Sequence, residues 1–565
     1  MSSVTVDCDL VILGSGGAAL AAAVTAADAG LKVTVCERAS VVGGTSAISG
    51  GALWIPGTRQ AIAGGFKDSP EDVRTYLRGV LAESYREDII ETFLRHGPEA
   101  LAFLEDHTEL KYSVRELSPD YYPELPGATD CGRALEVSEF DGSKLGAYFE
   151  RLRPPPPCMM GFGGMMVNRL DIYHYLNMPR SLRSVIHLAR LTARFAVDRL
   201  RYSRGTRLVI GNAMIAALLK AAVDRGVEFR FGMETTSFLT DTDGSIVGIV
   251  ARCANASTIQ IRARAVILGT GGLSRHSNAL QDRPATRSDH ISMAAPHADG
   301  SMISLAATQL KARVGGCLRE NFYWAPMSEM KERNGEKVVF PHIVTDRAKP
   351  GIIAINDRGE RFVNEANSYH RFVQAMMAEQ QRGVERFFLI ADRKALNCYG
   401  LGLVRARPGL HRKFMKAGYL IKAKSIPALA ARLEINSVLL EKAIREFNRD
   451  AAAGTDRKFH RGDSSYNRAM GDMSAKHPTL APLESAPFYA VRIVTGDLGS
   501  ARGLVTDAKA RVLNINGDVI PGLYAVGTDM NSPMGGTYPG PGIVLGTGLT
   551  FGYIAARSII DGEVR

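Results

Sequence analysis

Apolar positions recur along this chain in runs and periods that predict alternating strands and helices. Asp9–Leu13 is a short apolar run, Gly14 to Ala19 a small-residue turn, and an alanine-rich stretch follows to Ala29 before Gly30 stops it. Val33–Glu37 is apolar again and ends on an acid. Short apolar runs bounded by glycine read as buried strands, and the longer alanine-rich run as a helix. The same reasoning predicts helices over Pro70–Ala102, Thr206–Gly226 and Ser301–Lys311, the last capped by His297-Ala298-Asp299-Gly300. It predicts strands at Val227–Phe231, Ile246–Val250 and Ala265–Leu268. From Arg319 to about Tyr489 the texture is more charged, with a strand at Gly351–Ile355 and helical periodicity over Pro427–Phe447. A final strand, Gly522–Val526, leads through a glycine-rich segment into an apolar helix ending near Ala556. The expected fold is α/β: a Rossmann-like nucleotide-binding domain, discontinuous, with an inserted α+β substrate domain. Its parts are residues 1–150, 207–320 and 491–565; the insertion is 321–490, and a separate segment spans 151–206.

The glycines give the first chemical reading. Gly14-Ser15-Gly16-Gly17-Ala18-Ala19 lies between strand and helix, with Glu37 closing the second strand. Glycines let such a turn approach a pyrophosphate, the helix N-terminus favours its charge, and the acid receives ribose hydroxyls. Ala19 replaces the usual third glycine, and an acid at this strand end favours a free 2′-hydroxyl over a 2′-phosphate. A second small-residue loop, Thr45-Ser46-Ala47-Ile48-Ser49-Gly50-Gly51, has no use in a plain nicotinamide site; such loops lie along the pyrophosphate and ring system of a flavin. Gly527–Gly552 holds eight glycines around Tyr538 with almost no charge. We read FAD as the cofactor, held by Gly14, Ser15, Gly16, Gly17, Ala18, Glu37, Arg38, Thr45, Ser46, Ser49, Gly50, Gly51, Gly527, Asp529, Gly542 and Leu545. Gly527–Asp529 are expected along the ribityl side, and the head of the last helix at the pyrimidine edge of the flavin.

Composition narrows the class without deciding it. The 565 residues allow several domains, and 57 glycines suit a protein rich in tight loops. Seven scattered cysteines, Cys317 among them, show no metal spacing and read as reduced thiols of a cytoplasmic protein. The N-terminus lacks the features of a signal peptide, and no uninterrupted apolar run is long enough to predict a spanning helix. Net charge is +11, and nine arginines against two acids fall between Arg169 and Arg207. Pro179–Tyr202 reads as a helix on which Arg183, Arg190, Arg194 and Arg201 lie within about 40° and Leu188, Leu191 and Phe195 form a separate face. With Met159, Met160, Phe162, Met165 and Met166 before it, residues 158–204 resemble an interfacial membrane anchor on the inner face of the cell membrane. The other reading is a solvated arginine face over a core-packed helix. No nucleic-acid reader motif accompanies the charge.

The motifs together resemble a known family. Gly14-Ser15-Gly16 with Glu37, Thr45-Ser46 with Ser49-Gly50-Gly51, Lys349-Pro350-Gly351 with Asn356 and Gly359, Arg361-Phe362 with Asn364-Glu365, and Thr537-Tyr538-Pro539-Gly540-Pro541-Gly542 are similar to the 3-ketosteroid Δ1-dehydrogenases, FAD enzymes of the fumarate-reductase-like group. The resemblance spans nearly the whole chain, and the basic segment falls where a longer, membrane-associated subtype carries its excess. It implies a steroid or other cyclic-ketone substrate and an electron acceptor such as a quinone. It also implies that Tyr369 is the general base, that Tyr121 (or Tyr122) supports it, and that Tyr538 and the Gly542 N–H hold the substrate ketone.

That assignment agrees with elementary chemistry. The proton α to a ketone is the acidic one, and donors on the ketone oxygen stabilise the developing enolate. A tyrosine has an ordinary pKa of about 10, so Tyr369 needs a donated hydrogen bond or nearby positive charge to act as base. His370 is the alternative base. Arg361 either pairs with Glu365 or, in a fumarate-reductase-like enzyme, serves as an acid.

Overall fold

The computed structural model describes residues 4–161, 163–178, 181–276, 289–316, 320–406 and 411–563. Phe162, Pro179, Cys317 and Arg319, which entered the reading above, lie outside the described residues.

A six-stranded sheet organises the two chain ends. Its order is Glu228–Phe231, Val33–Glu37, Leu10–Leu13, Ala265–Leu268, Val519–Ala525, Arg511–Leu513, parallel except at the last pairing. Leu10–Leu13 and Ala265–Leu268 are buried on both faces, as their unbroken apolar runs require. Helix Gly17–Asp28 follows the first of these strands and packs against helix Ile543–Ile560. The approach is very close: a Cβ built on Gly552 would stand 2.3 Å from the Ala18 carbonyl oxygen. Ile543–Ile560 is long and apolar enough to cross a membrane by length and composition, yet 72% of it is buried in the protein. It is therefore a core helix, apolar on all sides because protein surrounds it.

A second sheet, ordered Val4–Asp7, Thr258–Arg262, Ile246–Arg252, Glu234–Thr240, takes the predicted Ile246–Val250 strand away from the main sheet. Within the inserted region, strands Ile352–Asn356, Phe387–Asp392, Phe488–Ile493 and Ile421–Ala423 form an antiparallel sheet. Separate hydrophobic clusters cover it, one around Phe372, Phe387 and Leu389, the other around Ile355, Leu440 and Phe447.

Two predicted helices are interrupted. Pro70–Ala102 is two helices, Pro70–Leu81 and Glu87–His107, separated at Ala82, whose φ is +48°. Pro427–Phe447 is Ile426–Leu433 and Ser437–Ala453, separated at Glu434, whose φ is +55°. Both breaks use a left-handed non-glycine residue, which apolar periodicity does not register.

The basic segment is a pair of helices, Arg169–Asn177 and Leu182–Asp198. Buried Asp171 fastens the pair to the protein by binding Arg207 at 2.9 Å and His187 at 2.9 Å. The apolar face anticipated on Leu188, Leu191 and Phe195 points inward: Leu188 is buried and Phe195 packs beside Gly205. A different apolar stripe faces out. Leu182, Ile186, Val197 and Leu200 are 76, 44, 62 and 83% exposed, and at 100° per residue they fall within about 60° of one another, next to the arginine row.

Candidate active site

A cavity of about 370 Å³ runs from the first glycine turn to a cluster of tyrosines. At one end it is lined by Gly14, Ser15, Gly16, Gly17 and Ala18, by Glu37 and Arg38, and by Thr45, Ser46, Ser49, Gly50 and Gly51. Gly527, Gly542 and Leu545 line it from the C-terminal side. Asp529 does not line it: its buried carboxylate accepts from the Thr270 and Gly272 N–H groups at 2.5 and 2.8 Å and from the Thr270 hydroxyl at 2.8 Å. It shapes the loop that follows strand Ala265–Leu268, and only Gly527 and Thr528 of that trio reach the cavity.

The polar side chains here hold the loops in register. Ser15 Oγ donates to Glu37 Oε2 at 2.5 Å and accepts from the Gly43 N–H at 3.1 Å. Ser46 Oγ accepts from the Gly17 N–H at 3.1 Å, and Thr45 Oγ1 from Ala295 at 2.9 Å. Ser49 Oγ donates to the Ser46 carbonyl and accepts from Gly51. Arg38 pairs with Asp299 at 2.6 Å and Glu234 at 3.0 Å. Helices Gly17–Asp28 and Ile543–Ile560 both begin at the cavity wall with a glycine as N-cap and no acid in the first turn. Two helix heads without acids and a floor of glycines fit a dinucleotide carrying a pyrophosphate, with Glu37 at the ribose position.

The other end is aromatic. Tyr121, Tyr323, Tyr369 and Tyr538 line the cavity, and Tyr466 packs against Tyr121 at 5.2 Å between ring centres. The Tyr121 hydroxyl donates to the Tyr369 hydroxyl at 3.1 Å, and the Tyr538 ring stands edge-on to Tyr369 and stacked on Tyr121, each at 5.3 Å between centres. Three of the four residues assigned to catalysis from sequence thus share one aromatic cluster, and the fourth, Gly542, stands four residues after Tyr538 at the helix head. Tyr122 does not line the cavity.

The backbone explains this convergence. Asp120 accepts from Trp54 Nε1 at 2.8 Å and from Arg133 at 2.7 Å, which fixes the loop carrying Tyr121. Tyr121 N–H donates to the Pro539 carbonyl at 2.9 Å, tying that loop to the Tyr538 segment. Gly540 fits only because it lacks a side chain: a Cβ there would lie 2.3 Å from Trp54. Gly542, the N-cap of the last helix, adopts φ +102°, which favours glycine there. Tyr369 is the first residue of helix Tyr369–Gln381, capped by Ser368.

Electrostatics set the protonation problem. Burial pushes the phenols of Tyr121 and Tyr369 well above their ordinary value, and neighbouring phenols add to the effect. Burial also lifts Tyr538, to about 12, against the opposing influence of the Tyr369 hydroxyl. Positive charge opposes this from buried Arg347 and from partly buried Arg115, whose guanidinium charges each act on Tyr121 and Tyr369. Arg347 spends its guanidinium on the carbonyls of His342, Ile343, Glu365 and Asn367. His370 is not an effective base here: burial depresses it to about 3, and its Nδ1 accepts from the Trp324 N–H at 3.3 Å. Arg361 pairs with Glu365 at 2.7 Å and Asp456 at 2.8 Å, away from the cavity. Despite burial, Arg361 and Arg461 hold Glu365 down to about 2.

The profile of the FAD-binding-domain family matches residues 9–545. The chain belongs to the FAD-binding-domain family. Full-length relatives place it in the family's ketone-dehydrogenase branch, with the 3-ketosteroid Δ1-dehydrogenases its motifs resemble. A 4-oxocyclohex-2-ene-1-carboxylate 5-dehydrogenase of Sinomonas cyclohexanicum is 36% identical over 563 residues, covering 98% of this chain and 94% of the relative. A 3-oxosteroid 1-dehydrogenase of Mycolicibacterium smegmatis is 33% identical over 572 residues, covering 98% and 97%. The crystal structure of 3-ketosteroid delta1-dehydrogenase from Sterolibacterium denitrificans, in complex with 1,4-androstadiene-3,17-dione, superposes with TM-score 0.90 at 32% identity, covering 98% of this chain and all of that one. The cofactor of this FAD-binding-domain oxidoreductase is FAD, in agreement with the glycine-lined end of the cavity.

Sequence reasoning missed Tyr466, Tyr323, Arg347 and Arg115. No spacing marks them, since each comes from a different segment and gains its meaning only from the residues it meets.

Proposed function

We propose that this protein catalyses FAD-dependent dehydrogenation of a 3-ketosteroid, introducing the 1,2 double bond next to the ketone. The observation that carries the reading is the Tyr121–Tyr369 hydroxyl pair packed against Tyr538 at the aromatic end of the FAD cavity. Tyr538 donates its O–H, and Gly542 its N–H, to the ketone oxygen. The α carbon gives its proton to the ionised Tyr369, and electrons of that C–H bond enter the enolate. FAD supplies the acceptor for the hydride that leaves the β carbon. Tyr121 donates to Tyr369 and, with Arg347, stabilises its ionised form. The steroid reading is supported by the steroid relative and the steroid complex named above.

The experiment is anaerobic mixing of the FAD-loaded protein with androst-4-ene-3,17-dione and with cholest-4-en-3-one. Bleaching of the flavin with formation of the 1,4-diene is expected; no bleaching with these or any other cyclic ketone would sink the reading. A second reading, a carboxylated cyclohexanone as substrate, is favoured by the 36% identical cyclohexene-carboxylate dehydrogenase.

The basic helix pair also supports peripheral membrane contact. Leu182, Ile186, Val197 and Leu200 project outward beside Arg183, Arg190, Arg194 and Arg201, the arrangement that suits an apolar face sunk among anionic headgroups. Sedimentation with anionic vesicles tests it: Leu182→Asp with Leu200→Asp abolishes co-sedimentation if the stripe inserts. Unchanged co-sedimentation would exclude it.

A further inference from the structure

Beside Arg347 lies a buried chain of hydrogen bonds that the mechanism above does not use. Asp346 Oδ2 is bonded to His342 Nδ1 at 2.6 Å, His342 Nε2 to Ser328 Oγ at 2.7 Å, and Ser328 Oγ to the Tyr419 hydroxyl at 2.7 Å. All four side chains are buried and none lines the cavity. The Leu403 N–H donates to the Tyr419 oxygen at 3.0 Å. The direction that spends every hydroxyl proton therefore runs from Tyr419 to Ser328, to His342 and to Asp346. His342 is then neutral with its proton on Nδ1, and Asp346 is the charged end. Against burial, His342 and the Gly402 N–H hold the Asp346 carboxyl below its ordinary value. Ser328, His342 and Asp346 have the order of a hydrolytic triad, but Ser328 is closed off from both cavity and solvent.

The chain ends on the loop that seats Arg347. The Arg347 guanidinium donates to the His342 and Ile343 carbonyls at 2.6 and 3.2 Å, within the loop that the His342–Asp346 bond closes. It also donates to the Glu365 and Asn367 carbonyls at 2.8 and 3.1 Å, in the turn that leads into Tyr369. Arg347 thus bolts the one to the other. Asp346 accepts from His342, from the Gly402 N–H at 3.0 Å and from the Arg347 backbone N–H at 2.8 Å. Its charge therefore stands beside the guanidinium while its oxygens are engaged elsewhere. A negative charge so placed weakens the positive field at Tyr369 without cancelling it, and offsets part of the cost of a guanidinium removed from water. The ionisable groups facing Tyr369 are Tyr121, Tyr538, Arg115 and Arg347. Those facing the loop are Tyr466, which acts on Arg347, and Lys349 and Tyr419, on which Asp346 acts. Arg461 closes the loop's other side, donating to the Arg347 and Lys349 carbonyls at 3.3 and 2.9 Å.

We propose that His342 and Asp346 are positioning residues for the base: His342 holds the Asp346 carboxylate in the loop that seats Arg347, and Asp346 limits the positive charge that Arg347 lends to Tyr369. The limit has a use. The field must be strong enough to ionise a buried phenol and weak enough to leave the phenolate able to take an α proton. The proposal rests on the cyclic-ketone reading above and adds to it a control on the base.

The test is anaerobic reduction of the flavin in the FAD-loaded protein by androst-4-ene-3,17-dione, or by whichever cyclic ketone the parent turns over, across a pH series. The rate rises with pH as Tyr369 ionises, so removing a nearby negative charge should move that limb to lower pH. Asp346→Asn is expected to shift it down by about 0.5–1 unit, a gain of roughly three- to tenfold in ionised base on the low-pH side. Tyr419→Phe, which breaks the far end of the chain and leaves the Asp346 charge, should lower the melting temperature and leave the limb in place. In an Arg347→Gln background the limb should lie higher, and Asp346→Asn should no longer move it. An unmoved or raised limb in Asp346→Asn, or a loss that is equal at every pH, overturns the proposal; a downward shift that persists without the Arg347 charge overturns the route through Arg347. Asp346→Ser makes the same measurement where the asparagine variant does not fold. If neither neutral variant folds while Asp346→Glu does, the carboxylate serves the fold and the proposal is overturned. A parent protein that reduces its flavin but shows no such shift sinks this proposal alone; one that reduces it with no cyclic ketone sinks the reading beneath it and this proposal with it.

Discussion

Tyr121→Phe isolates the help that Tyr369 receives. Tyr121 donates to the Tyr369 hydroxyl at 3.1 Å, and its ring packs on Tyr538 and Tyr466 at 5.3 and 5.2 Å between centres. Phenylalanine keeps that packing and removes the donor alone. Tyr369 keeps its ring contact with Tyr538, 5.3 Å between centres, so the change at the base is the lost donor. A hydrogen bond to a charged acceptor contributes about 1.5–3 kcal/mol, which is about one to two pKa units on the base. Burial already holds Tyr369 well above the ordinary phenol value, so at neutral pH the reactive fraction is small and falls by a further factor of about 10–100. A more basic phenolate recovers part of this in the proton-transfer step. The assay is anaerobic stopped-flow reduction of the flavin across a pH series, with α-deuterated ketone to confirm that proton removal limits the rate. The ionisation limb of the profile should move up by one to two units, with the gap between variant and parent narrowing as pH rises. A loss that is the same at every pH would refute the reasoning, because it would mean that Tyr121 places the substrate and does not stabilise the base.

Tyr538→Phe should lower kcat/KM by about 10²–10³-fold with FAD content unchanged, as loss of one donor to an enolate oxygen does; retained activity would remove Tyr538 from the ketone site. Gly552→Ala forces a methyl group against the Ala18 carbonyl, at 2.3 Å before any adjustment, and should cost about 1–3 kcal/mol or more by overpacking, read as a lower melting temperature together with weakened FAD retention. His370 gives a pH dependence of stability. Its folded pKa is depressed to about 3 by burial, while the unfolded chain protonates near 6.5. The contribution is therefore intact above pH 6.5 and lost as pH falls, by about 2 kcal/mol at pH 5; urea unfolding at pH 7 and pH 5 should show this drop in the parent and a smaller one in His370→Gln.

The cofactor end of this molecule was legible because its chemistry is local. A strand, a glycine turn, a helix and an acid occupy Leu10 to Glu37 in unbroken order, and each residue's role follows from its neighbours in the chain. Thr258–Arg262, absent from the predicted strands because of its polarity, alternates as a half-buried strand does. The helix breaks at Ala82 and Glu434 were not, because a left-handed alanine or glutamate leaves no mark on hydrophobic periodicity. Asp529 illustrates a different failure: proximity to the glycine segment suggested the cofactor, but its carboxylate is consumed by Thr270 and Gly272, some 260 residues earlier in the chain.

The substrate end was legible only in part, and Arg347 and Arg115 show why. Both are arginines in loops, and neither spacing nor composition separates them. What separates them is a count of donors and acceptors after folding. The carbonyls of Glu365 and Asn367 belong to the turn that leads into Tyr369, and Arg347 binds both. That arrangement does two things at once. It holds the turn that aims the base, and, because carbonyls neutralise no charge, it leaves a positive field, reduced by neighbouring Asp346, beside a phenol that must ionise. A carboxylate partner in their place would have satisfied Arg347 equally well and cancelled the field. The enzyme's base therefore depends on Arg347 being bound by neutral oxygens.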